Sequence, residues 1–218
     1  MKRKPAKRRT DPPYVPPPVE MMTALALATM GAIAALLIPG LTLAASAPIT
    51  VDQAYEDMAH RHASLDPASA GFTRDEAAYL SRLFELVDLA IVEKAQAWTW
   101  FQSEGKKGKA LPEYRVRVDA LVARLDGLPA PENLRQVQDL LVDAIRDQRA
   151  FFETWTQALE VGARGQDNRE VYKSRGLHLK NSSQKLHQAY GQLMDLFPNA
   201  GQRNFDAFYD HLCVLDLL

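Results

Sequence analysis

Beyond residue 48 the apolar positions recur at three- and four-residue steps, and no run alternates convincingly with period two. Leu80, Leu83, Phe84, Val87, Ile91, Trp98 and Phe101 share one stripe of a helix. Thr73 and Glu76 stand at capping-box spacing just ahead of it, so the pattern predicts a helix over 73–104. Gly105-Lys106-Lys107-Gly108-Lys109 then stops it. Pro112 suits the first turn of a shorter helix over 112–126, with Tyr114, Val118, Leu121, Val122 and Leu125 inward.

Gly127, Pro129 and Pro131 punctuate the chain before a helix over 131–161. Its stripe is Leu134, Val137, Leu141, Ile145, Phe152, Trp155 and Leu159, and Gly162 and Gly165 are expected to end it. Asp167 and Glu170 open a further helix over 168–197, with Leu179, Leu186, Leu193 and Leu196 inward and Pro198 beyond. A last helix over 202–216 carries Phe205, Phe208, Tyr209, Leu212, Val214 and Leu215 on most of its circumference, so it must be covered on most sides. Thr50 and Gln53 predict one more helix at the front, over 50–62. The fold class is therefore all-α: an antiparallel bundle of about five to six helices, joined by short turns.

The front of the chain follows different rules. Residues 21–47 hold no charge, while Lys2, Arg3, Lys4, Lys7, Arg8 and Arg9 precede them. A helix needs about 20 mostly apolar residues to cross a bilayer, and basic flanks stay on the cytoplasmic side. Residues 1–20 read as a basic, Pro-rich cytoplasmic tail that is disordered. Residues 21–47 read as a transmembrane anchor or a signal-peptide core, and 48–218 as an extracytoplasmic bundle domain.

Small residues at Ala44, Ala45, Ser46 and Ala47 would suit cleavage, giving a secreted or periplasmic product. The length of the uncharged run and the long tail before it favour a single-pass anchor through 21–45, N-terminus inside.

Charge narrows the partners. The whole chain carries −1, and its first 20 residues hold six basic and two acidic groups, which leaves −5 on residues 21–218. A mildly acidic exported part is not a polyanion binder by bulk charge, and no nucleic-acid partner is expected. About 170 residues are enough for one domain that buries roughly 70% of its unfolded surface, without staples. Cys213 is the single cysteine, so no intramolecular disulfide forms, and its apolar neighbours predict a buried, unreactive thiol.

Candidate chemistry is thin. A di-iron bundle draws Glu-x-x-His units from two helices. Here only Asp57-Met58-Ala59-His60 comes near. His178 and His187 fall on opposite faces of one helix. His60 and His62 diverge, and His211 beside Asp210 points elsewhere. The expectation is solvated or partly packed histidines, no metal and no cofactor. There is no Gly-x-Ser-x-Gly elbow, and the Gly105–Lys109 stretch lacks P-loop spacing.

One clustering stands out. In an up-down bundle, the ends of the 73–104 and 131–161 helices share a pole with the starts of the 112–126 and 168–197 helices. That pole collects Trp98, Trp100, Phe101, Tyr114, Phe151, Phe152, Trp155 and Tyr172, and with them Lys106, Lys107, Lys109, Arg115, Arg164, Arg169, Lys173 and Arg175. Trp98 and Trp100 sit about 200° apart round their helix and cannot face one core together. The expected role is non-enzymatic: a scaffold, adaptor or interaction module. Its binding residues are Trp98, Trp100, Lys106, Lys107, Lys109, Trp155, Arg164, Arg169, Tyr172 and Lys173, and its partner a protein, an anionic lipid or a glycan. The rival expectation is an extracytoplasmic ligand-binding or catalytic bundle with a pocket between helices.

Overall fold

A computed structural model of the chain describes residues 49–69, 71–103, 113–163 and 169–216, and for 103, 161, 163 and 169–172 it describes the backbone alone. These residues form six α-helices and no strand: α1 (Val51–Asp57), α2 (Arg74–Ser103), α3 (Tyr114–Asp126), α4 (Arg135–Ala163), α5 (Arg169–Leu196) and α6 (Gln202–Asp216). None of the described helices is long and apolar enough to cross a membrane. The uncharged run 21–47 and the tail before it lie outside the described residues.

Local chemistry sets most of the boundaries. Thr50 caps α1 by accepting from the Gln53 amide at 3.2 Å. That helix ends at Asp57 rather than near His62. The Met58 and His60 amides both turn back to the Tyr55 carbonyl, and Ala59 takes the left-handed region at φ 58°. At the start of α2 the capping box is complete. The Thr73 amide and hydroxyl each donate to the Glu76 carboxylate at 2.8 Å, and the Glu76 amide donates to Thr73 Oγ1 at 3.3 Å. Asn133 also donates to Glu76, at 2.7 Å, and so ties the start of α4 to the start of α2.

A 3-10 turn, Glu132–Leu134, leads into α4. That helix runs through Gly162 to Ala163, past its expected end. In α5, Leu186 and Leu193 are buried as expected, but Leu196 is 37% exposed at the last residue.

The helices close into a ring. Each of α2 to α6 packs on its neighbour in sequence, α6 packs back on α2, and α1 lies on α2. Successive members alternate in direction, so the first and last run parallel. Phe84 meets Phe208, Asp88 meets His211, and Lys94 meets Leu215, in rising order on both helices. With 15 residues, α6 is half as long as α2, which has 30, so it stops part-way along the bundle. Beyond that level the space falls to large rings: Phe101, Tyr114, Phe151 and Phe152 are all buried there.

The C-terminal carbonyls of two helices accept from buried side chains. Gln138 donates to the Leu125 and Leu128 carbonyls at 2.5 and 2.8 Å, finishing α3. At the end of α6, Lys94 Nζ donates to the Val214 and Leu215 carbonyls at 3.3 and 2.5 Å. Gln148 also reaches the Leu215 carbonyl, at 2.5 Å, and Ser182 Oγ at 3.1 Å. Unsatisfied helix ends are costly inside a core, and these contacts remove that cost. One face of α6 is tucked in, with Asn204, Ala207, Phe208, His211, Leu212, Val214 and Leu215 buried, but the cover is not all round as the apolar pattern predicts: Phe205 is half-buried and Tyr209 is 51% exposed.

The segment between α1 and α2 is clamped against the α5–α6 turn. Asn204 accepts from the Asp66 amide at 2.7 Å and donates to the Asp66 and Ala200 carbonyls at 3.2 and 2.8 Å. Gly71 passes so close that a Cβ there would stand 2.6 Å from Ala200 Cα.

Candidate functional site

Two places in the bundle gather chemistry. The first is the aromatic end. Phe101 on α2 stacks on Trp155 of α4, with centroids 4.6 Å apart and planes 7° from parallel, and on Phe152 at 5.5 Å. Tyr114 of α3 meets Phe152 edge-on at 5.3 Å. The opposed phases of Trp98 and Trp100 resolve into two contacts. Trp98 leans across to Trp155 at 5.6 Å, while Trp100 sets its plane at 88° to Phe101 at 5.0 Å. All three tryptophans are half-buried. The Arg175 guanidinium of α5 lies 5.2 Å from the Trp155 ring centroid and 5.8 Å from that of Phe151, a cation–π contact with both rings at the rim.

The basic residues expected around these rings divide into three groups. Lys106, Lys107, Lys109 and Arg164 lie outside the described residues. Arg169 and Tyr172 stand in the first turn of α5, where the backbone alone is described, and Lys173 is exposed beside them. On the α3–α4 side, carboxylates offset the cations. Arg115 is within 3.7 Å of Asp119 and 3.6 Å of Glu153, and Arg149 also pairs with Asp119. On α3 and its α4 neighbour, then, the cations are paired with carboxylates.

The second place lies mid-bundle, where α1, the segment after it, α2 and α6 meet. Asp88 on α2 is at its centre, with its side chain 13% exposed. Tyr55 Oη donates to Asp88 Oδ1 at 2.8 Å. His211 Nε2 stands 3.3 Å from the same oxygen, and His62 Nε2 stands 3.1 Å from Oδ2. Burial pushes the Asp88 carboxyl up, but hydrogen bonds and charge from His211, with Tyr55 and His62, outweigh it and hold the group below the usual carboxylate range. The same surroundings, burial first and then Asp88, push the Tyr55 hydroxyl far up. Among the described residues, His62, Asp88 and His211 are a group able to hold a metal ion, with one donor atom each and all within 4.8 Å of one another.

A neighbouring pair qualifies the reading of Cys213. Its side chain is half-buried rather than enclosed, with Sγ 3.8 Å from His60 Nε2, and His60 Nδ1 lies 3.7 Å from Asp210. Burial pushes the thiol up, so it stays protonated and unreactive, as its apolar neighbours imply.

Sequence reasoning separated His62 from His211, and the fold brings them together. Two signals were available. Asp88 falls four residues after Phe84 and three before Ile91, which puts a carboxylate on the apolar stripe of α2. His211 falls three after Phe208 and four before Leu215, on the buried stripe of α6. His62 gave no such signal, because it lies outside any helix.

Searches of protein-family models, of curated proteins and of solved structures return no match to this chain.

Proposed function

We propose that this chain is a membrane-anchored or exported envelope protein that acts by contact, with the aromatic end of its bundle as the contact surface. The cytoplasmic tail is 1–20, the span 21–45 and the working domain 48–218. Carrying this reading is the gathering of Trp98, Trp100 and Trp155, half-buried, beside the Arg175 cation–π contact. Flat, half-buried rings next to arginine suit anionic and glycan-like groups. Lys106, Lys107, Lys109, Arg164, Arg169 and Lys173 add the charge that would draw such a partner in. The partner is an anionic surface: a glycan, a lipid headgroup or an acidic protein.

Replacing Lys106, Lys107 and Lys109 together by Gln tests this directly. Binding of the anionic partner should weaken, and the difference should shrink as salt rises, since exposed charges are screened over about 8 Å at physiological ionic strength. Binding that is equal in the triple variant at low salt rejects the reading.

The rival, a ligand-binding or catalytic bundle, draws its support from one observation: the convergence of His62 and His211 on Asp88.

A further inference from the structure

The three donors come from separate stretches of chain: the segment after α1, the middle of α2 and the second half of α6. The second nitrogen of each ring fixes what the first presents. His211 Nδ1 lies 2.7 Å from the Ala207 carbonyl oxygen, which only accepts, so Nδ1 carries the proton. His62 Nδ1 faces the Asp52 carboxylate at 3.2 Å and is fixed in the same way. With Nδ1 held by an acceptor, Nε2 is the nitrogen each ring turns toward Asp88, at 3.3 Å from Oδ1 and 3.1 Å from Oδ2, and the one that can ligate an ion there.

We propose that His62 Nε2, His211 Nε2 and the Asp88 carboxylate form a binding site for one divalent transition-metal ion of the Zn²⁺ type.

Geometry, donor chemistry and surroundings agree. At a tetrahedral Zn²⁺ with ligand distances of ~2.1 Å, neighbouring donors stand about 3.4 Å apart. Here His62 Nε2 stands 3.1 Å from one Asp88 oxygen and His211 Nε2 stands 3.3 Å from the other, and one donor atom from each of the three residues falls within 4.8 Å of the rest, within reach of one ion. Two imidazoles with one carboxylate suit zinc, iron, copper or nickel, and are a poor set for magnesium or calcium.

Each donor is oriented from behind. Asp52 holds His62, the Ala207 carbonyl holds His211, and the Tyr55 hydroxyl holds Asp88. The Phe84 ring packs edge-on to His211 at 4.6 Å, and Tyr55 lies 4.8 Å from His62, so the inner wall is aromatic. His62, 28% exposed, is the edge through which an ion enters. Three protein donors leave a further coordination position for water or an outside ligand.

Only the folded chain assembles these donors, so the ion joins the 58–72 segment and α6 to α2 and stabilises the fold. This site is independent of the aromatic end, and each inference can fail alone.

Full-length protein, purified in detergent, stripped with a chelator and titrated with Zn²⁺ alone, provides the test. The expected result is one ion per chain and a higher Tm in its presence. His62→Gln should lower the affinity by more than the 10–100-fold that follows loss of an orienting partner, and Asp52→Asn by about 10-fold. His187→Gln should leave it unchanged, because that exposed histidine pairs with Asp216 on the far side of α6. Co²⁺ replacing Zn²⁺ in the unaltered chain should show the visible absorption of nitrogen-ligated, four-coordinate cobalt, which needs no variant to fold. Failure of the unaltered chain to bind stoichiometrically overturns the proposal. So does an affinity unchanged in folded His62→Gln, or one lost in His187→Gln.

Discussion

Lys94 of α2 donates from its ammonium nitrogen to the Leu215 carbonyl at 2.5 Å, joining residues 121 apart in sequence. The lysine is 2% exposed, so its charge sits inside the core at the point where α6 stops. Burial pulls this amine down from the ordinary 10.5 to about 7, and the negative charge of Asp216 opposes part of that fall.

A pH dependence of stability follows. The folded amine is depressed, so below pH 7 both folded and unfolded chains carry the proton and the full cost of the buried charge applies. Above pH 7 the folded chain sheds the proton while the unfolded chain keeps it until about 10.5, and stability rises across that window. Between pH 7 and 9.5 the gain should be about 3 kcal/mol. Tyr55, Tyr79 and Tyr114 reverse the trend. Burial, with Asp88, Asp139 and Glu93 respectively, raises their hydroxyls when folded, so stability falls above the ordinary value of 10. Urea midpoints measured across pH 7–11 should peak near 9.5–10, and Lys94→Met should flatten the rising limb.

Asn204 is a hinge pin between the 64–69 segment and the α5–α6 turn, 1% exposed and bonded to three backbone groups. Asn204→Ala leaves the Asp66 amide and the Ala200 carbonyl without that partner. A loss of about 2–3 kcal/mol is expected by denaturant unfolding, more than one hydrogen bond contributes, because buried groups are orphaned.

Two glycines should respond in opposite directions. Gly71→Ala places a Cβ against the backbone of Asn199 and Ala200, which cannot yield as a flexible side chain would, and should destabilise by about 1–3 kcal/mol. Gly176 lies within α5, exposed, with nothing within 4 Å of an added Cβ. Gly176→Ala should stabilise by about 0.5–1 kcal/mol through helix propensity. Thermal unfolding of both variants separates the cases.

Phe152 is fully buried and touches Phe101, Tyr114, Phe151 and Trp155. Phe152→Ala should cost about 3–5 kcal/mol. It should also loosen the tryptophan environment, read as a red shift of emission in the native baseline before unfolding begins.

Helical periodicity made the bundle legible, because buried stripes on α2, α3 and α4 repeat at the helix period whatever the partner. Capping chemistry made the starts of α1 and α2 legible, since Thr50 and Thr73 act within their own first turn. Helix ends were less so: α1 stops short of a left-handed Ala59, and α4 runs through Gly162, since neither residue type by itself forces or forbids a helix end. The meeting of Trp98, Phe101 and Trp155 followed from counting helix directions. The meeting of His62, Asp88 and His211 did not. It depends on α6 returning parallel to α2 and on a non-helical segment folding over both, and neither is written in local spacing.

The three tryptophans of the chain lie together at the aromatic end, so their emission reports on the proposed contact surface without a label. Full-length protein in neutral detergent should show a shifted or quenched emission when vesicles containing anionic lipid, or a sulfated glycan, are added at low salt. The change should saturate and reverse when salt is raised. Emission unaltered by both probes at low salt would contradict the claim that this end of the bundle is where the protein meets its partner.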